Sequence, residues 1–276
     1  MERNEHFFYG VSVGDTDNRL FQTRNKVRKS TALNPGDMDA DDVDYEMQFE
    51  KNSYELEICG MNQSGLERFV EKYGQTYRRL HFFHCQYISD FSPLENLKNL
   101  EMVGINWNIR AQKLWDMSKN PVLWSFLCTD SKKLVYDLDG FQNAKTLRNI
   151  KICGPMIDGS YPMRTLECFS DIPALEILEL YNIKPDDRST SFLEKLPTLR
   201  QFNFDAGMFT TEEIAEIVAR YPQLQGKHLC AYADGIFGIR VSGYRKPTLN
   251  LPKDQKRLEK YNMEFQALVE KYKAEI

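Results

Sequence analysis

The chain has 276 residues, 42% of them hydrophobic and 28% charged, with a formal net charge of -4. This balance fits one elongated folded domain or two small ones, and argues against nucleic acid or an anionic membrane as partner. No apolar run approaches the roughly 18 residues of a membrane span, and the start, MERNEHFFYGVSVGD, lacks the basic end and apolar core of a leader peptide.

In chain order, HFFYGVSV and RLFQT each read as a short strand, and NKVRKSTALNPGDMDADD as a polar loop. Its acidic run, Asp37, Asp39, Asp41 and Asp42, falls short of a calcium loop, because Asp42 stands where that loop needs Gly and Gln48 where it needs Glu. A solvated loop is the expectation. Val43, Tyr45, Met47 and Phe49, then Tyr54, Leu56 and Ile58 after EKNS, alternate with polar residues, and this period of two predicts a β-hairpin. Residues 1–52 would then form an N-terminal cap, which a stacked array needs because its outermost unit otherwise leaves the core bare.

Over residues 53–232 the pattern Leu-x-x-Leu-x-Leu recurs, with copies starting at Ser53, Tyr77, Leu97, Leu123, Leu147, Leu175, Leu199 and Leu224. The fourth and sixth positions supply the expected buried pairs: Leu56/Ile58, Leu80/Phe82, Leu100/Met102, Phe126/Cys128, Ile150/Ile152, Leu178/Leu180 and Phe202/Phe204. Every one of these is apolar, and only the last copy breaks, with Lys227 before Leu229. Repeats of this length stack, each burying its apolar side on its neighbours. Among the return segments, QSGLERFVEKYG, IRAQKLWDMSKN and TTEEIAEIVARY have apolar residues at helical spacing. SPLENL, DGFQNAKTL and SFLEKLP are shorter and predict single turns.

Residues 233–276 read as a C-terminal cap. Asp234-Gly235 between two extended runs signals a two-residue hairpin, GYRKPTLN is a polar link, and a helix is predicted from Pro252 to Ile276. Leu258, Tyr261, Phe265, Leu268 and Tyr272 fall on one face of it, too few heptads for a coiled coil. The six cysteines (Cys59, Cys85, Cys128, Cys153, Cys168, Cys230) form no CxxC, which predicts a reduced, cytoplasmic protein.

The segment from Tyr77 to Met102, with ISDFSPLENL between two copies, resembles the leucine-rich repeat of the bacterial internalin-like class. The resemblance implies an α/β leucine-rich-repeat solenoid, a right-handed superhelix of about eight parallel strands. The family's usual Asn, eight residues after each start, is replaced by Met61, Cys85, Ile105, Ser131, Pro155, Ile183, Gly207 and Tyr232.

Because strand side chains alternate between faces, the third, fifth and seventh positions of each copy should emerge on one concave wall. The candidates for partner binding there are Glu57, Arg79, His81, Phe83, Glu101, Lys151, Glu179, Tyr181, Asp205 and His228. Eight strands would span about 34 Å, room for a protein or peptide. Acids outnumber bases among these positions, so a basic partner is expected, met by a monomer. A catalytic alternative places His81 between Glu57 and Glu101 in one row, as a metal-dependent hydrolase would need. No zinc-type spacing, Gly-rich phosphate loop, GxSxG or HExxH supports it, so neither metal nor cofactor is expected. The resemblance implies a non-enzymatic recognition scaffold; an inhibitor or immunity-type role is analogy at the level of the fold.

Overall fold

Period-two burial turns the copies into short strands, and identical pairing rules then align each strand with the next. A computed structural model describes residues 26–28, 38–50, 54–141, 144–155 and 159–276. In chain order the elements are β1 (Lys26–Arg28), α1 (Ala40–Glu46), β2 (Glu55–Cys59), α2 (Gln63–Lys72), β3 (Arg79–Phe83) and β4 (Met102–Asn106). There follow β5 (Ser125–Thr129), α3 (Lys132–Tyr136), β6 (Asn149–Cys153), β7 (Tyr161–Thr165), β8 (Ile177–Tyr181), β9 (Ile183–Asp187) and β10 (Gln201–Phe204). The chain closes with α4 (Thr211–Arg220), β11 (Tyr232–Gly235), β12 (Gly238–Val241), β13 (Thr248–Leu249) and α5 (Gln255–Lys273).

Eight strands form one parallel sheet in the order β1-β2-β3-β4-β5-β6-β8-β10. A parallel pair, β7-β9, and an antiparallel trio, β11-β12-β13, stand apart from it. This is a mixed α/β, leucine-rich-repeat-like fold. The inward residues of the seven repeat strands are fully buried. Strands and return segments together contribute a chain of rings in which each touches the next: Phe82, Phe91, Trp115, Phe126, Phe141, Phe169, Phe192 and Phe202, with centroids 5.4 to 6.4 Å apart. Each buried ring contributes about 2–3 kcal/mol of apolar transfer, and edge-to-face pairs add to that. One aromatic spine thus runs through the repeats.

Several sequence expectations are corrected. HFFYGVSV and RLFQT lie outside the described residues. Within the expected polar loop, Lys26–Arg28 pairs in parallel with β2 and covers that edge. The predicted strand at Val43–Phe49 is helix α1. Asp39 caps it, accepting from the Asp41 and Asp42 amides, while Asp42 answers back to the Asp39 amide. This capping box uses the acidic run and lets Val43 and Met47, four apart, pack inward. Tyr45 and Phe49 are left exposed.

The expected helix at IRAQKLWDMSKN shrinks to a 3₁₀ turn at Met117–Lys119, because Asn108 and Asp116 side chains take the local amides that a helix would use. The third copy is displaced by three residues. Arg79 pairs with Met102 and Phe82 with Ile105, so the copy starts at Leu100 and buries Val103 and Ile105 instead of Leu100 and Met102 as its pair. Its eighth residue on is then Asn108, a buried Asn at a position where the other copies have none. Asn108 Nδ2 donates to the Cys85 and Ile88 carbonyls at 2.9 and 2.8 Å.

At the far end the Leu224 copy forms no strand, only a bridge at Gln225. Gly226 lies so close to the Phe202 carbonyl that a Cβ there would come within 2.1 Å of its oxygen. The hairpin turn falls at Ile236-Phe237, two residues later than Asp234-Gly235, since Gly235 pairs with Gly238 and Gly238 takes the positive φ. The polar link contains β13, and α5 starts at Gln255 with Asp254 before it, after Pro252 rather than on it. Helix α5 packs on α4 and buries Leu258, Phe265 and Val269.

Candidate functional site

Pairing register fixes which side chains share the outer face of the sheet. Its central row is Glu57, His81, Gly104, Leu127, Lys151, Glu179 and Asn203, one residue from each repeat strand. Glu57, His81, Lys151 and Glu179 therefore stand where the sequence puts them. Glu101 does not, because the displaced third copy leaves it ahead of β4 and sets Gly104 beside His81. The carboxylate-histidine-carboxylate row of the hydrolase reading is not formed. Among the described residues, no group of three or more His, Cys, Asp or Glu could hold a metal ion.

The acids of this face are held by neighbours. Glu57 Oε2 lies 3.2 Å from His81 Nδ1, with His81 fully buried. Arg79 lies 2.5 Å from Glu55 and 3.8 Å from Glu101, which also meets Arg78 at 3.3 Å. Lys151 Nζ sits 3.3 Å from Glu179 and 5.3 Å from the centre of the Tyr181 ring, while Asn203 Nδ2 donates to the other Glu179 oxygen at 3.2 Å. Lys151 and Glu179 are both buried, so each depends on the other to offset its lost hydration. Burial also pushes up the buried thiols of Cys128 and Cys153, each to about 12, which keeps them protonated and poor nucleophiles.

The sequence does not reveal the rim where strands give way to turns. Residues just past β2, β3, β4, β5 and β8, namely Gly60, His84, Trp107, Asp130 and Asn182, all have left-handed backbone. His84 and Trp107 donate their amides to the Asn106 and Thr129 carbonyls, which extends the ladder by one step. Their rings stack with centroids 4.2 Å apart, and Phe83 joins His84 at 6.1 Å and His81 at 6.2 Å. Trp107 and Tyr87 are each 37% exposed, with Arg110 over the Tyr87 ring at 4.6 Å. A trace of this rim is legible only once the third copy is moved by three residues, which puts Trp107 at the position of His84.

Asp205 and His228 lie away from the central row, in a cleft between the last repeat and the β11-β12 hairpin. Asp205 accepts the Asn182 amide, and burial raises its carboxyl above the ordinary range. Burial, reinforced by Lys227 and Arg240, pushes the His228 imidazole down to about 4.

Neither a protein-family model nor a curated protein matches the sequence. Among solved structures, the chain is similar to one in the Toll–Spatzle complex of Drosophila, with 13% identity, a TM-score of 0.42, and coverage of 57% of this chain and 24% of that one. It is also similar to internalin C2 from Listeria monocytogenes, with 17% identity, a TM-score of 0.29, and coverage of 54% and 53%. The chain thus spans about a quarter of the first and about half of the second. The assignment as leucine-rich-repeat-like rests on the repeat itself and on the parallel ladder it forms. No helix among the described residues is long and apolar enough to cross a membrane.

Proposed function

We propose that the chain is a protein-binding scaffold: a right-handed solenoid whose concave outer sheet and adjoining rim seat a protein or peptide. The observation that carries this reading is the run of touching rings from His81 through Phe83 and His84 to Trp107. Left-handed backbone costs a bulky residue about 1–2 kcal/mol, yet Trp107 holds it while leaving 37% of its surface exposed. Such display is what interface anchors look like. Phe83, Leu127, Ile177 and Tyr181 extend the apolar surface along the sheet, each half-buried.

Charge plays a smaller part in this reading than the acid count suggests. Glu55, Glu57, Glu101 and Glu179 already face Arg79, His81, Arg78 or Lys151, so a basic partner would have to displace an existing contact. The partner is therefore met mainly through apolar and aromatic contact. Affinity capture tests this. The wild-type chain should retain a partner that a Phe83→Ala/Trp107→Ala/Tyr181→Ala variant, with the same circular dichroism, retains at least about tenfold less. Equal retention would sink the reading.

A further inference from the structure

The cleft at the far end of the sheet offers the opposite chemistry. It encloses about 630 Å³, and its walls carry Lys184, Arg188, Lys227 and Arg240 against the carboxylates of Asp205 and Asp234. Among the described residues, none of these four cations has a carboxylate within 4.0 Å; what sets them apart from other surface cations is that four of them line one cleft. Arg188 instead lies over the Tyr244 ring at 4.6 Å, and Arg240 donates to Thr248 Oγ1 at 3.1 Å. Asp205 accepts the Asn182 amide on one oxygen and feels the charge of Arg240, so the acids of the cleft offset only part of its four cations. At the lip, the turn residues Ile236 and Phe237 are 91% and 86% exposed. Two adjacent bare apolar side chains thus stand on a hairpin tip beside a group of solvent-accessible cations, so one ligand could cover the first and pair with the second.

We propose that this cleft binds an acidic peptide segment of a partner protein, with carboxylates among Lys184, Arg188, Lys227 and Arg240 and an apolar side chain against Ile236 and Phe237. Charge complementarity selects the occupant, because the chain as a whole is negative while this cleft concentrates positive charge. A small anion would satisfy the cations but leave the lip bare, whereas a peptide carries both groups on one chain. Arginine guanidinium groups also match carboxylates with paired donors. Backbone bonds tie the segment beside the cleft in place: Gly243 donates to the Ala206 carbonyl at 2.7 Å and Ser242 to that of Ala231 at 2.9 Å. Gly243 has φ of 130° and no room for a Cβ beside Thr211.

The probe is a fluorescein-labelled decapeptide of Glu and Asp around a central Leu-Phe pair, titrated with the full chain by anisotropy. Saturable binding is expected, weakening at least about fivefold between low and physiological salt. Lys184→Glu/Lys227→Glu should weaken it at least about tenfold, Ile236→Ser/Phe237→Ser about threefold, and Lys256→Glu, outside the cleft, not at all. Binding should survive Phe83→Ala/Tyr181→Ala, so this result and the outer-face reading stand or fall separately. The proposal is overturned if no saturable binding is seen, or if Lys184→Glu/Lys227→Glu binds like wild type. Full displacement of the peptide by millimolar inorganic phosphate would also overturn it, marking the cleft as a small-anion site.

Discussion

Lys151 and Lys227 sit on the same molecule under opposite rules. Lys151 is buried between two neighbours on the sheet, 3.3 Å from Glu179, and its charge is spent inside the protein. Lys227 is exposed, part of a cleft whose cations have no carboxylate within 4.0 Å among the described residues. Where charges are matched internally, the proposed scaffold would recognise a partner through rings and methyl groups, as at Phe83 and Trp107. Where they are left unmatched, the charges themselves are available to a partner. The same residue type is structural in one place and addressable in the other.

The sharpest way to break that contrast is to remove each ammonium in turn. Lys151→Met should cost about 3 kcal/mol, because Glu179 is left buried without its cation, and adding Glu179→Leu should recover most of it. Lys227→Met should change stability at pH 7 by less than about 0.5 kcal/mol, since its ammonium is exposed and its neighbour His228 is neutral there. Denaturant midpoints on the four proteins decide it. A Lys151→Met cost as small as that of Lys227→Met would show that the buried pair is not a matched unit.

A second test uses pH. The folded-state pKa of His228, near 4, lies below the ordinary 6.5, so folding favours the neutral ring. That stability is present in full above about 6.5 and is lost as pH falls through 4. The loss should be on the order of 2 kcal/mol, reduced from the full shift because the ring borders an open cleft. His228→Gln should lack this dependence, so the gap in unfolding free energy between the two proteins should change by that amount between pH 7 and pH 4. Parallel curves would place His228 in water. Asp205, whose raised pKa works in the other direction, is common to both proteins and cancels.

The legibility of the sequence follows the same division. Inward residues were legible because the core demands one chemistry at one spacing, and a period of two survives any disturbance between strands. The phase of the third copy was not, since Leu97, Leu100 and Val103 are all apolar and three residues apart, so composition cannot choose the start. Only the hydrogen-bonding needs of Asn108 distinguish the frames. Helix α1 (Ala40–Glu46) was hidden because Val43, Tyr45, Met47 and Phe49 alternate as a strand would while Val43 and Met47 alone also fit a helix face, and the deciding signal is the Asp39–Asp42 box. The cleft was invisible for a different reason. Its cations come from β9, the turn after it, the broken last copy and β12, which no local pattern joins.

The smallest effect is also the most discriminating, at Trp107. With φ of 58°, this position would accept glycine without the steric penalty that a bulky side chain bears. Trp107→Gly removes that strain, of about 1–2 kcal/mol, but also the stacking on His84, worth about 0.5–1.5 kcal/mol, and adds backbone entropy to the unfolded chain. The opposing effects should leave stability within about 1 kcal/mol of wild type. Trp107→Ala keeps the left-handed strain and loses the stack, so it should be the less stable of the two. Both variants should lose partner capture alike, because both lose the indole. If glycine proves clearly more destabilising than alanine, the left-handed backbone is not what holds Trp107 in place, and its display at the rim needs another cause.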